Sequence, residues 1–144
     1  MTDKNTIVRR VIDEVWNKGD LKLVDECFTN DYVNKDPMGN VKGHDGLKDL
    51  VKKFRTAFPD LRLNLEDVIT TGDRAVLRWT YNGTQTGPFE GISPTGRHAS
   101  GPGISILRFS GDRIQESHVV WDALGLMQQV GVVTLPGKAA RSAL

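Results

Sequence analysis

The hydrophobic period of the sequence changes once, at Pro59, and that change restricts the chain to a narrow class of folds. Before Pro59 apolar residues recur every three or four positions, the spacing that lays a stripe along a helix. Beyond it they alternate, the spacing that gives a strand one apolar face. Val8, Val11, Ile12 and Val15 predict a first helix from about Asn5 to Asn17, stopped by Asn17-Lys18-Gly19-Asp20. Asp20 can then cap a second helix from Leu21 that buries Leu21, Val24 and Phe28. The stretch Tyr32 to Asn40 reads as a short strand running into a turn. Leu47, Leu50, Val51, Phe54 and Phe58 mark a third amphipathic helix, with Lys48, Lys52, Lys53 and Arg55 on its wet side and Pro59 ending it.

Four strands follow, carried by Leu61-Leu63-Leu65, by Ala75-Leu77-Trp79-Tyr81, by Ile104-Ile106, and by the run from Ile114. Gly72 and Gly111 sit in Thr71-Gly72-Asp73-Arg74 and Ser110-Gly111-Asp112-Arg113, tight turns that make the flanking strands antiparallel neighbours. Helices first and a meander later give an α+β fold, a curved antiparallel sheet with the N-terminal helices packed on one face. At 144 residues the chain is expected to be one domain over 1–144, with a loose C-terminal tail from about 132.

Charge narrows the function. Nineteen Lys and Arg against eighteen Asp and Glu, scattered along the chain, build no field for nucleic acid or a membrane surface, so a small, roughly neutral or apolar ligand fits better. The amino terminus lacks the pattern of a signal peptide and no stretch is long and apolar enough to span a bilayer, so a cytoplasmic protein is expected. Cys27, the single cysteine, reads as a small buried apolar residue. His44, His98 and His118 are too dispersed to suggest a zinc triad, and the glycines from Gly83 to Gly96 lie between strands, where they form turns and not a dinucleotide loop. Neither metal nor cofactor is expected.

Four stretches, Ala57 to Leu61, Gly83 to Gly96, the strand ending Ile106-Leu107-Arg108-Phe109, and Trp121 to Gly131, together resemble the SnoaL-like polyketide cyclases of the nuclear transport factor 2-like superfamily. The resemblance implies a cone open at one end, the sheet wrapping helices on its concave face. It also implies a cofactor-independent reaction in which one acidic residue, here Asp122, serves as acid and base in an intramolecular aldol closure or isomerisation of a small apolar carbonyl compound. Family members pair through the outer face of the sheet, so a homodimer, or a tetramer, is expected.

Alternation independently places Glu116, His118, Val120 and Asp122 on one face of the last strand. A carboxylate on an apolar cavity wall is partly desolvated and can both take and return a proton, so Asp122 and His118 are the candidate catalytic pair, in a pocket lined largely by aliphatic and aromatic carbons. Asp122 also suits the N-cap of a helix beginning near Ala123. Tyr32, Asn34, Lys35, Gln85 and Val120 are the candidate substrate contacts; Lys35 and Gln85 stand where relatives often carry His, and His118 where they often carry Trp. Two alternatives stay open: a non-catalytic protein whose cone holds an apolar small molecule or is simply filled, and an epoxide hydrolase, which would need an Arg between two inward carboxylates.

Overall fold

A computed structural model of the chain describes residues 3–134 and 136. The first helix, α1 (Lys4–Arg10), runs on into a π-helical turn over Val11–Trp16, where Asn17 N–H reaches back five residues to Ile12 O at 3.0 Å. Its apolar stripe is the one read from the sequence: Val8, Val11, Ile12 and Val15 are all buried. Asp20 Oδ1 accepts the Lys22 N–H at 3.2 Å where α2 (Lys22–Cys27) begins. The helix buries Leu23, Val24 and Cys27, and burial pushes the Cys27 thiol up. Strand β1 (Phe28–Lys35) starts four residues before the expected strand, and β2 (Val41–Lys42) pairs with it across the Asp36–Asn40 turn. Helix α3 (Gly43–Ala57) follows, then β3 (Arg62–Thr71), β4 (Arg74–Thr84), β5 (His98–Ser110), β6 (Arg113–Trp121) and α4 (Ala123–Gln129).

The six strands form one curved, unclosed sheet in the order β2-β1-β6-β5-β4-β3. Gly72 and Gly111 take positive φ (56 and 60) in the two hairpin turns, as a left-handed turn position requires. All neighbouring strands are antiparallel except β1 and β6, which run parallel. No local turn joins that pair, so nothing in the sequence marks it. The helices cover the concave face, and the core between the layers holds Ile7, Val8, Val15, Val24, Leu47, Val51, Phe58, Leu77, Phe109 and Ile114. Most of the expected tail lies outside the described residues. No helix among the described residues is long and apolar enough to cross a membrane.

One irregularity in β6 decides which side chains face inward. Facing β5, Ile114 pairs with Phe109 but Glu116 pairs with Arg108, so Gln115 is an extra residue on β6, a bulge. Arg108 donates to Gln115 Oε1 at 2.7 Å, and Gln115 Nε2 donates to Asp31 Oδ2 at 3.1 Å, which fixes the bulged residue in place. The bulge moves the alternation by one: Ile114 points inward, and the next inward residues are Ser117, Val119 and Trp121.

Candidate functional site

Between the helices and the concave sheet face lies an open cavity with an empty volume of about 980 Å³, counting its mouth. Trp16, Leu47, Leu50 and Phe54 roof it from the helix side; Leu63, Leu77, Trp79, Tyr81, Leu107, Val119 and Trp121 form the sheet wall. Its surface is overwhelmingly apolar, with a few polar groups gathered on β1, β6 and the neighbouring strands, the usual constitution of a small-molecule site.

The cavity's wall depends on a glycine. A Cβ on Gly103 would overlap the indole of Trp79, which lies across β5 and donates to Ser105 Oγ at 3.0 Å. Deep in the wall Tyr32 donates its hydroxyl to Ser117 Oγ at 2.7 Å, with Asn34 Oδ1 at 3.5 Å, and burial pushes the Tyr32 phenol far above its ordinary range. Nearer the mouth, Trp121 Nε1 shares its proton between Asp36 Oδ1 and Oδ2, at 3.3 and 3.2 Å. Asp36 is the one charged residue among the described residues that line the cavity.

Tyr81 is different in kind. The residue is 8 % exposed, its ring stands edge-on to Trp121 with centroids 5.9 Å apart, and its hydroxyl has no hydrogen-bond partner among the described residues. The nearby Gln129 amide is already engaged, accepting from Ser100 N and donating to Ser100 O and Gly125 O. Burial first, and the Asp122 carboxylate second, push the Tyr81 phenol up to about 12, against a lowering by Gln129. It therefore stays protonated at neutral pH, enclosed beside the Gln129 amide and without a hydrogen-bond partner among the described residues.

The expected site residues divide. Tyr32 and Asn34 line the cavity, as expected. The expectation that His118, Val120 and Asp122 face it is overturned by the bulge at Gln115. His118 is on the outer face with a side chain 53 % exposed, its Nε2 3.1 Å from Glu116 Oε1. Val120 is 71 % exposed on the same face. Lys35 is outside too, 3.8 Å from Glu116. Gln85 is fully buried but away from the cavity, where it fastens the Gly83 to Gly96 loop by donating to Gly87 O and Ser93 O and accepting from Thr95 Oγ1 at 2.7 Å. Asp122 is exposed and caps α4, its Oδ1 accepting the Gly125 N–H at 2.8 Å; it reaches the cavity as a charge felt by Tyr81 and not as a lining residue. Asp36, Tyr81, Ser117 and Trp121 line the cavity without having been singled out as site residues. A signal existed for the first: Tyr32, Asn34 and Asp36 are one alternation on β1 and just past its end.

A curved open sheet around an apolar cavity, roofed by helices, defines a cone of the nuclear transport factor 2-like class. Within that class the chain belongs to the SnoaL-like polyketide cyclase family, which it matches over residues 6–130. TsrD from Streptomyces laurentii is 28% identical, with a TM-score of 0.82 over 92% of this chain and 100% of that one. A candidate polyketide cyclase from Acidithiobacillus ferrooxidans is 26% identical, with a TM-score of 0.79 over 90% of this chain and 96% of that one. AclR from Streptomyces galilaeus, described as a candidate hydroxylase, is also 26% identical, with a TM-score of 0.79 over 91% of this chain and 86% of that one. No curated protein matches the chain.

Proposed function

We propose that the protein is a cofactor-independent cyclase or isomerase that takes a small apolar carbonyl compound into the cone and moves a proton on it. One observation carries the reading: the Tyr81 hydroxyl is buried and protonated in an apolar wall, with no hydrogen-bond partner among the described residues. Removing a proton beside a carbonyl leaves negative charge on oxygen, and a fixed donor stabilises that charge more than water does; the enclosed Tyr81 hydroxyl has to turn toward the cavity to be that donor. Family membership nominates Asp122 as acid and base. Its carboxylate acts on Tyr81 from the end of β6, and it would have to leave its cap on Gly125 to exchange a proton with substrate.

That cap favours a second reading, in which the cone binds an apolar molecule without chemistry. An epoxide hydrolase has no support, since no arginine is among the described residues lining the cavity. The test is turnover of a panel of β-keto esters and polycyclic ketones by the wild type and by Asp122→Asn. A loss of about two to four orders of magnitude in the variant would assign the proton transfer to Asp122. Unchanged turnover removes Asp122 from the mechanism, and ligands that bind to the wild type without turnover favour the binding protein.

A further inference from the structure

We infer that Asp36 is the catalytic carboxylate that takes the carbon-bound proton in this cavity, a role that rests on the proton-transfer reading above and locates its base. Strand β1 delivers Tyr32 and Asn34 to the cavity wall, and one step past its end the chain places Asp36 on the same side, by the mouth. Two of its contacts are structural. Asp36 Oδ1 accepts the Met38 N–H at 2.9 Å, closing the turn into β2, and also faces the Trp121 indole. Oδ2 has the Trp121 N–H at 3.2 Å and no other partner among the described residues, so it keeps a lone pair for a ligand.

Trp121 connects this carboxylate to the orphan donor. Its N–H is on Asp36 and its ring packs edge-on against Tyr81, so a planar carbonyl compound lying against the indole has the Asp36 carboxylate as proton acceptor at one side and, once the enclosed hydroxyl turns toward the cavity, the Tyr81 phenol as donor at the other. The step balances without a further reagent. The C–H bond next to the carbonyl breaks, its electron pair moves into the new C=C bond while the carbonyl π pair goes to oxygen, where Tyr81 donates a hydrogen bond, and the proton rests on Asp36 Oδ2. Return of that proton to carbon gives isomerisation; attack of the enolate on a second carbonyl, with the proton delivered to the new alkoxide, gives ring closure. Asp122 is at neither atom in this first step.

Deuterium exchange isolates the step from any later chemistry. The probe is β-tetralone, a bicyclic ketone with acidic α-hydrogens, incubated with protein in deuterated buffer and followed by mass spectrometry. Asp36→Asn keeps the side-chain oxygen that accepts the Met38 N–H, so the turn and the fold persist, and exchange should fall by about a hundredfold to ten-thousandfold. Asp36→Ala should lose as much and regain exchange with added sodium formate, whose carboxylate fits the space vacated; formate should do nothing for the wild type. Wild-type exchange that survives in Asp36→Asn, or an Asp36→Ala variant that formate fails to restore, overturns the assignment to Asp36 and leaves the proton-transfer reading standing. A wild type that binds the ketone and leaves it undeuterated overturns both.

Discussion

Replacing Tyr81 by Phe should make the protein more stable and less active, and the opposite signs are the diagnostic. Phe keeps the ring, its edge-on packing against Trp121 and its fit over Gly101, and removes only a hydroxyl that has no partner among the described residues. A buried hydroxyl without a hydrogen bond costs about 1–3 kcal/mol of folding free energy. The hydroxyl is enclosed, so the cost is at least the lower end of that range, about 1 kcal/mol. For a chain of 144 residues that raises Tm by about 2–4 °C. The same deletion takes away the donor to the developing oxyanion, which should slow α-proton exchange of a bound ketone by about a hundredfold to a thousandfold. Scanning calorimetry and the exchange assay on wild type and variant measure the two. A fall in Tm would show that the hydroxyl is partnered in solution, and unaltered exchange would remove it from the chemistry; either result refutes the reasoning that made it a prepaid donor.

Gly103→Ala should cost about 1–3 kcal/mol, because its Cβ overlaps the Trp79 indole and the ring must leave Ser105; thermal unfolding together with a loss of ketone binding would confirm it, and an unchanged Tm would contradict the overlap. The two tyrosines should show almost no phenolate absorbance at pH 10, where the unfolded chain is about half ionised. Tyr81 has a folded value above the ordinary 10.0, so the stability tied to its neutral form is complete below that pH and is lost as pH rises through about 12. Native titration with a midpoint at 10 would refute this. The outer sheet face exposes Ile69, Ile104, Ile106 and Val120, with Ile104 paired to Val120 across β5 and β6; we expect this apolar face to form a homodimer, so that light scattering gives twice 15.9 kDa, and a monomer mass at micromolar concentration excludes it.

Local rules determined most of the architecture. Val8, Val11, Ile12 and Val15 placed the first helix, Pro59 closed the third, and Gly72 and Gly111 paired the later strands, because helix stripes, proline boundaries and tight turns are set by residues within a few positions of one another. Tyr32 and Asn34 reached the cavity for the same reason, on the end of a strand whose alternation is regular from Tyr32 onward. The face of β6 was not determined in this way. Its alternation is plain in the sequence, but its phase depends on one extra residue at Gln115, held by Arg108 from β5 and by Asp31 from β1. A side-chain period of two turns a one-residue shift into a complete exchange of faces, so His118 and Val120 went outside and Ser117, Val119 and Trp121 went in. The meeting of Asp36, Trp121 and Tyr81 was likewise left to the tertiary structure. It requires the parallel pairing of β1 with β6, a contact between segments 85 residues apart that no local signal encodes.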